Sequence, residues 1–115
     1  MTMGTLQDPA IFLTASRVGL AQAITAQIYA VTAAEMVGRT RGRPRAARAR
    51  QIAIHLARSV FDMDLKQLAA AFGRDRSTIC HACNLIARLR EEDDEFDATL
   101  RWMESNLGRA AGLIP

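Results

Sequence analysis

The chain has 115 residues, is half hydrophobic and 23% charged, and carries a formal net charge of +3. That length holds one small domain with a single core, and the balance of apolar to charged residues excludes a disordered chain. Twenty-one alanines against six aromatics and three prolines favour helix over strand, because alanine loses no side-chain entropy in a helix, so the expected fold class is all-α.

Residues 1–15 show no clear period and are expected to be a mobile lead-in. From Ser16, the residues Val18, Leu20, Ala21, Ile24 and Ile28 recur at helical spacing and predict a first helix to about Ala30. Thr32 to Glu35 has the form of a capping box, in which two side chains satisfy backbone donors reciprocally, and Gly38 can end the short helix that follows. Residues 39–45 carry Gly42 and Pro44 among arginines and read as an extended basic arm. Beyond it Ala49, Ile52, Ala53, Leu56 and Val60 form an apolar stripe, with Arg50 and Arg58 lying off it.

Asp64 can cap a helix that turns Leu65, Leu68, Ala69 and Phe72 to the core and breaks at Gly73. Asp75 can cap the next, whose buried stripe is Ile79, Ala82, Cys83, Ile86 and Leu89, ending near Arg90. Two short helices joined by a tight turn with glycine, residues 64–90, make a helix-turn-helix. Asp93 or Asp94 can start a last helix through Phe96, Leu100, Met103 and Leu107 to Gly108, leaving 108–115 as a tail. One compact unit, residues 16–107, thus takes in nearly every apolar residue.

The weak net charge is a cancellation. Residues 39–58 hold seven arginines and no acid, whereas residues 91–97 hold six acids and no base. Fourteen of the fifteen basic residues are arginine, whose planar fork suits phosphates and base edges. The second helix of the helix-turn-helix opens with Asp75, Arg76, Ser77 and Thr78. In such motifs the N-terminal residues of that helix reach base edges in the major groove: arginine pairs with guanine, aspartate accepts from cytosine, and serine or threonine serves either base or phosphate. The plainer reading makes Asp75 only a cap and Arg76 only a solvated side chain.

The run Phe72-Gly-Arg-Asp-Arg-Ser-Thr-Ile-Cys-His-Ala-Cys83 resembles the signature of the C-terminal DNA-binding domain of the bacterial replication initiator DnaA. That family shows Phe-Gly-Gly-Arg-Asp-His-Thr-Thr, two further residues, then His-Ala-Cys. Arg50-Gln-Ile-Ala-Ile-His-Leu-Ala-Arg58 is similar to its Arg-Gln-x-Ala-x-x-Leu-Ala segment, Arg88-Leu-Arg-Glu-Glu-Asp93 to its Leu-Arg-Glu-Glu run, and Ile24 to Val37 to the helix entering that domain. The resemblance spans about 24–103, with one glycine fewer.

What it implies is a compact helical domain that binds double-stranded DNA at DnaA-box-like sites in replication initiation or transcription. Asp75, Arg76 and Ser77 fall where the family reads bases. Arg50, Arg58, Leu65, Lys66 and Thr78 fall where it holds the backbone, and Arg45, Arg48 and Arg74 are expected beside them. Arg76 stands in place of His, Lys66 in place of a common Pro, and Leu85 where the initiator often has a basic phosphate contact.

The arm carries a second resemblance. Arg41-Gly42-Arg43-Pro44 resembles the AT-hook core, whose arginines lie in a narrow A·T minor groove. The DnaA family also uses an arginine here, but the register puts Gly42 at its position, so that Arg41 and Arg43 are both candidates.

Other chemistry has little support. Cys80 and Cys83 form C-x-x-C without a second ligand pair, so no metal site is expected, and Ser77, His81 and Asp75 lack an oxyanion hole, so no catalysis is expected. No cofactor is expected either. Without the sequence G-x-x-x-x-G-K-[ST] there is no phosphate-cradling loop, which implies occupancy of sites without ATP-driven assembly.

Cysteines too close to staple a secreted scaffold, and an N-terminus without a secretory pattern, point to the bacterial cytoplasm and nucleoid. The longest uncharged window, Val18 to Ala34, is shorter than a span of roughly 20 residues and contains Gln22, Thr25, Gln27 and Thr32, so no membrane association is expected. The alternative function is a protein-interaction module that binds the initiator or its regulators, through the first helix or the acidic run Glu91 to Asp97.

Overall fold

The computed structural model describes residues 9–38 and 43–115, and the described residues form six helices. These are α1 (Pro9–Ile28), α2 (Ala33–Val37), α3 (Pro44–Phe61), α4 (Leu65–Phe72), α5 (Arg76–Glu92) and α6 (Asp94–Ala110). The all-α class and the helix-turn-helix, α4 and α5, are as the sequence predicts.

Helix α3 is the centre of the fold and packs against the other five. Of its predicted apolar stripe Ala49, Ile52, Ala53 and Leu56 are fully buried, joined by Ala57, while Val60 is only partly buried. Leu68 from α4, Ile79 and Ile86 from α5, and Leu100, Met103 and Leu107 from α6 close the main core around it. A smaller cluster of Val31, Met36, Ala46, Ala49 and Ala53 seats α2 on the start of α3. Short apolar faces on alanine-rich helices allow this close approach, and burial of these side chains supplies most of the stabilisation.

The helix ends are set locally. Thr32 and Glu35 form the expected capping box on α2, and Asp64 with Gln67 forms another on α4. Asp75 accepts from the Thr78 amide at the start of α5, and Asp93 from the Phe96 amide at the start of α6. Gly73 takes a left-handed φ of 64° after α4, a conformation that costs glycine nothing. Ala30 (φ 54°) and Asp62 (φ 55°) adopt the same region after α1 and α3.

Three boundaries differ from expectation. Helix α1 begins at Pro9 rather than Ser16, so residues 9–15 of the expected lead-in are helical. Proline fits a first helical position because its missing N–H would have no partner there. The extra turns escape a periodicity reading because Ile11, Phe12 and Leu13 are consecutive and remain 49%, 67% and 48% exposed. The arm ends sooner than expected: Pro44 and Arg45 lie in the first turn of α3, with Arg43 as its cap. At the other end α6 runs on to Ala110, and the Leu113 amide donates to the Gly108 carbonyl at 2.8 Å. The tail therefore folds back over Gly108, where a Cβ would stand 2.6 Å from Ile114 Cδ1 and push that exposed side chain aside.

Candidate nucleic-acid interface

The turn between α4 and α5 is built by a glycine-dependent helix stop. With Gly73 left-handed, the Arg74 amide donates to the Ala69 carbonyl at 3.1 Å, and α5 restarts two residues later at the Asp75 cap. Asp75, Arg76, Ser77 and Thr78 are all exposed at that start. Asp75 Oδ1 accepts from the Thr78 amide and from Ser77 Oγ, each at 2.8 Å. The Thr78 backbone bond foremost, and then the Ser77 hydroxyl, hold the Asp75 carboxyl below its ordinary value. Asp75 is thus an ionised, oriented acceptor as well as a cap. Arg76, at the first position of α5, makes no hydrogen bond or ion pair to any described residue and extends into solvent.

The remaining expected contacts sort into exposed and anchored groups. Arg45, Arg48, Arg58 and Lys66 are exposed, and Leu65 is half-buried at the start of α4. Arg58 lies beside the Cys83 thiol, which burial pushes up, about two turns along α5 from Arg76. Arg50 and Arg74 are half-buried and tied to the chain: Arg50 Nη1 donates to the Glu35 carbonyl at 2.6 Å and Arg74 Nη2 to the Gly38 carbonyl at 2.8 Å. Two cations on the last carbonyls of α2 match the negative end of a helix. Burial first, and the neighbouring Arg74 charge second, lower the Arg50 pKa. Both line one cleft with Thr78 and His81 of α5 and Gln51 of α3.

Of the two arm candidates, Arg41 lies outside the described residues. Arg43 is engaged: its Nε and Nη2 donate to the two Glu35 carboxylate oxygens, each at 2.7 Å. Sequence reasoning took Glu35 only as half of a capping box, and an ion pair reaching eight residues along the chain had no periodic signal. His81 was weighed there only with Ser77 and Asp75 for catalysis, and not as part of the cleft that it lines with Arg50 and Arg74. Among the described residues no three His, Cys, Asp or Glu side chains are grouped to hold a metal ion, and no helix is long and apolar enough to cross a membrane.

A family model described as the bacterial DnaA protein helix-turn-helix matches residues 20–86. The match runs from the middle of α1 through the first turns of α5 and on to Ile86, and so includes α2, α3 and the whole turn between α4 and α5.

Proposed function

The chain belongs to the bacterial DnaA helix-turn-helix family, a family of double-stranded-DNA-binding domains, and on that premise we propose that it reads DnaA-box-like sites and acts by occupying them. Asp75, Arg76 and Ser77 read bases in the major groove. An arginine of the arm enters an adjacent A·T minor groove, and Arg45, Arg48, Arg58, Leu65, Lys66 and Thr78 hold the backbone, joined by whichever donors of Arg50 and Arg74 are not spent on the end of α2. A bound copy excludes the initiator or alters promoter access, in replication control or transcription, with no ATP hydrolysis of its own.

The observation that carries this reading is the start of α5, where an unpaired Arg76 stands next to an Asp75 carboxylate already fixed by Ser77 and Thr78. Such a pair offers a donor fork and an acceptor at adjacent positions, the combination by which a helix distinguishes base pairs in the major groove. The test is a titration of a labelled DnaA-box duplex against a scrambled one at several salt concentrations. With roughly six to eight phosphates neutralised, the log of affinity falls with the log of salt at a slope of about −5 to −7, and the box binds more tightly than the scrambled sequence. Equal, weak binding to both duplexes sinks site recognition.

The interaction module remains the second reading. Ile11, Phe12 and Leu13 on the first turns of α1 are the observation that favours it. The acidic run does not, since Asp93 caps α6 and Asp97 pairs with Arg90 and Arg101. Absence of binding to either duplex supports that reading over DNA recognition.

A further inference from the structure

Between Pro9 and Phe61 the sequence has a single acidic residue, Glu35, among eight arginines that include the whole basic arm. A carboxylate in that position repels DNA phosphates unless it is neutralised, so its presence asks for a reason. Every hydrogen-bonding group of Glu35 is committed. Its carboxylate accepts from the Thr32 amide at 3.1 Å and grips Arg43 with both oxygens at 2.7 Å. Its amide donates to Thr32 Oγ1 and its carbonyl accepts from Arg50. Three residues on, the Gly38 carbonyl is held by Arg74, which leads directly into Asp75 and Arg76.

The described residues on either side of positions 39–42 are therefore both tied down. Gly38 is fastened to the helix-turn-helix turn, and Arg43 is fastened back to α2. The Arg43 hydrogen bonds hold Glu35 ionised, with its pKa lowered to about 2, so the tie persists at any physiological pH. A bidentate arginine and carboxylate pair fixes direction as well as distance, and an Arg43 held in this way is not extended toward a groove.

We propose that Glu35 is a positioning residue for DNA recognition, which makes Arg43 the anchor of the basic arm and not its minor-groove reader. The inference rests on the DNA-binding reading above and takes Arg43 out of the two candidates that the sequence leaves open.

Glu35→Gln is the discriminating variant, because glutamine retains the capping box while removing the charge that holds Arg43. Affinities are measured by fluorescence anisotropy for box duplexes with A·T or G·C flanks, using wild type, Glu35→Gln, Arg43→Gln and the double variant. The expected result is a loss of about three- to fivefold on A·T flanks for each single variant, the scale of a well-formed surface ion pair. The double variant loses no more than either single one, since both break the same contact. Discrimination between A·T and G·C flanks narrows in step, a change that lowered fold stability alone does not produce.

If Arg43 were the reader, or if Glu35 merely repelled phosphate, Glu35→Gln would bind more tightly than wild type. A raised or unchanged affinity in that variant overturns the proposal while preference for the box persists. Wild-type protein that fails to prefer the box over a scrambled duplex overturns the functional reading and this inference with it.

Discussion

Arg90 on α5 holds Glu104 on α6 through two parallel hydrogen bonds of 3.0 Å, and its Nε reaches Asp97 at 2.6 Å. The Arg90 side chain is 16% exposed, and its Nη1 also lies 3.0 Å from His55 Nε2 on α3. One guanidinium thus joins three helices at the end of α5 remote from Arg76. Its removal takes the charged partner from Glu104 and His55 in a half-buried site and leaves Asp97 with the exposed Arg101 alone. Arg90→Ala is expected to cost about 2–3 kcal/mol in urea denaturation, from lost charged hydrogen bonds and unpaired groups. A cost below 0.5 kcal/mol, on the scale of about 0–1 kcal/mol for surface pairs, would show the network to be decorative.

The same network sets the response to pH. Burial foremost, and then the Arg90 charge, lower the His55 pKa from its ordinary 6.5. The unfolded chain therefore binds a proton at His55 before the folded one does, and stability declines as pH falls below 6.5. The Arg90 bonds lower Asp97 from 3.8. Burial would raise Glu104, but the hydrogen bond from Arg90 helps bring it below 4.5, so a second and steeper loss follows in acid. Equilibrium unfolding between pH 8 and 3 is expected to show both declines, and His55→Gln only the lower one. A flat profile from pH 7 to 5 in wild type contradicts the His55 assignment.

Ala30 occupies the left-handed position that ends α1, where the Val31 amide donates to the Ala26 carbonyl at 2.9 Å. Glycine is the usual residue at such a stop, and a Cβ there costs about 1–2 kcal/mol. Ala30→Gly is expected to stabilise the fold by about 0.5–1 kcal/mol, read as a raised melting temperature. Gly73→Ala should do the reverse, and because Gly73 sets the angle between α4 and α5 it should weaken DNA binding as well. A destabilised Ala30→Gly protein would mean that the turn is held by contacts other than its backbone geometry.

Asp75 has two assignments that a single substitution separates. Asparagine caps helices about as well as aspartate but adds an amide donor to the position. Asp75→Asn should leave the urea midpoint nearly unchanged while shifting base preference at the pair that Asp75 meets. Equal preference before and after the change would leave Asp75 as a cap alone.

What could be read from the sequence was what is encoded locally. Thr32 with Glu35, Asp64, Asp75, Asp93 and Gly73 each announce a helix end within a few residues of the signal itself, and each is found there. The buried stripe of α3 follows from a 3.6-residue period. Pairings made across the fold were not readable: Arg43 with Glu35, Arg74 with the Gly38 carbonyl, and Arg90 with His55 and Glu104 depend on where the helices pack. For the same reason Arg50 and Arg74 are read from the sequence only as DNA-backbone contacts, whereas folding ties each to the end of α2. The start of α1 was hidden for the opposite reason, since Ile11, Phe12 and Leu13 face solvent and carry no helical alternation.

The central claim is that the start of α5 reads bases. It is tested most directly by titrating wild type and Arg76→Ala against a set of box duplexes that differ by one base pair at a time. The account predicts that Arg76→Ala loses about 1–3 kcal/mol on the intact box and that the penalty for changing one particular base pair disappears. A loss spread evenly over every duplex, with each single-pair penalty retained, would place Arg76 on the phosphate backbone and contradict the assignment.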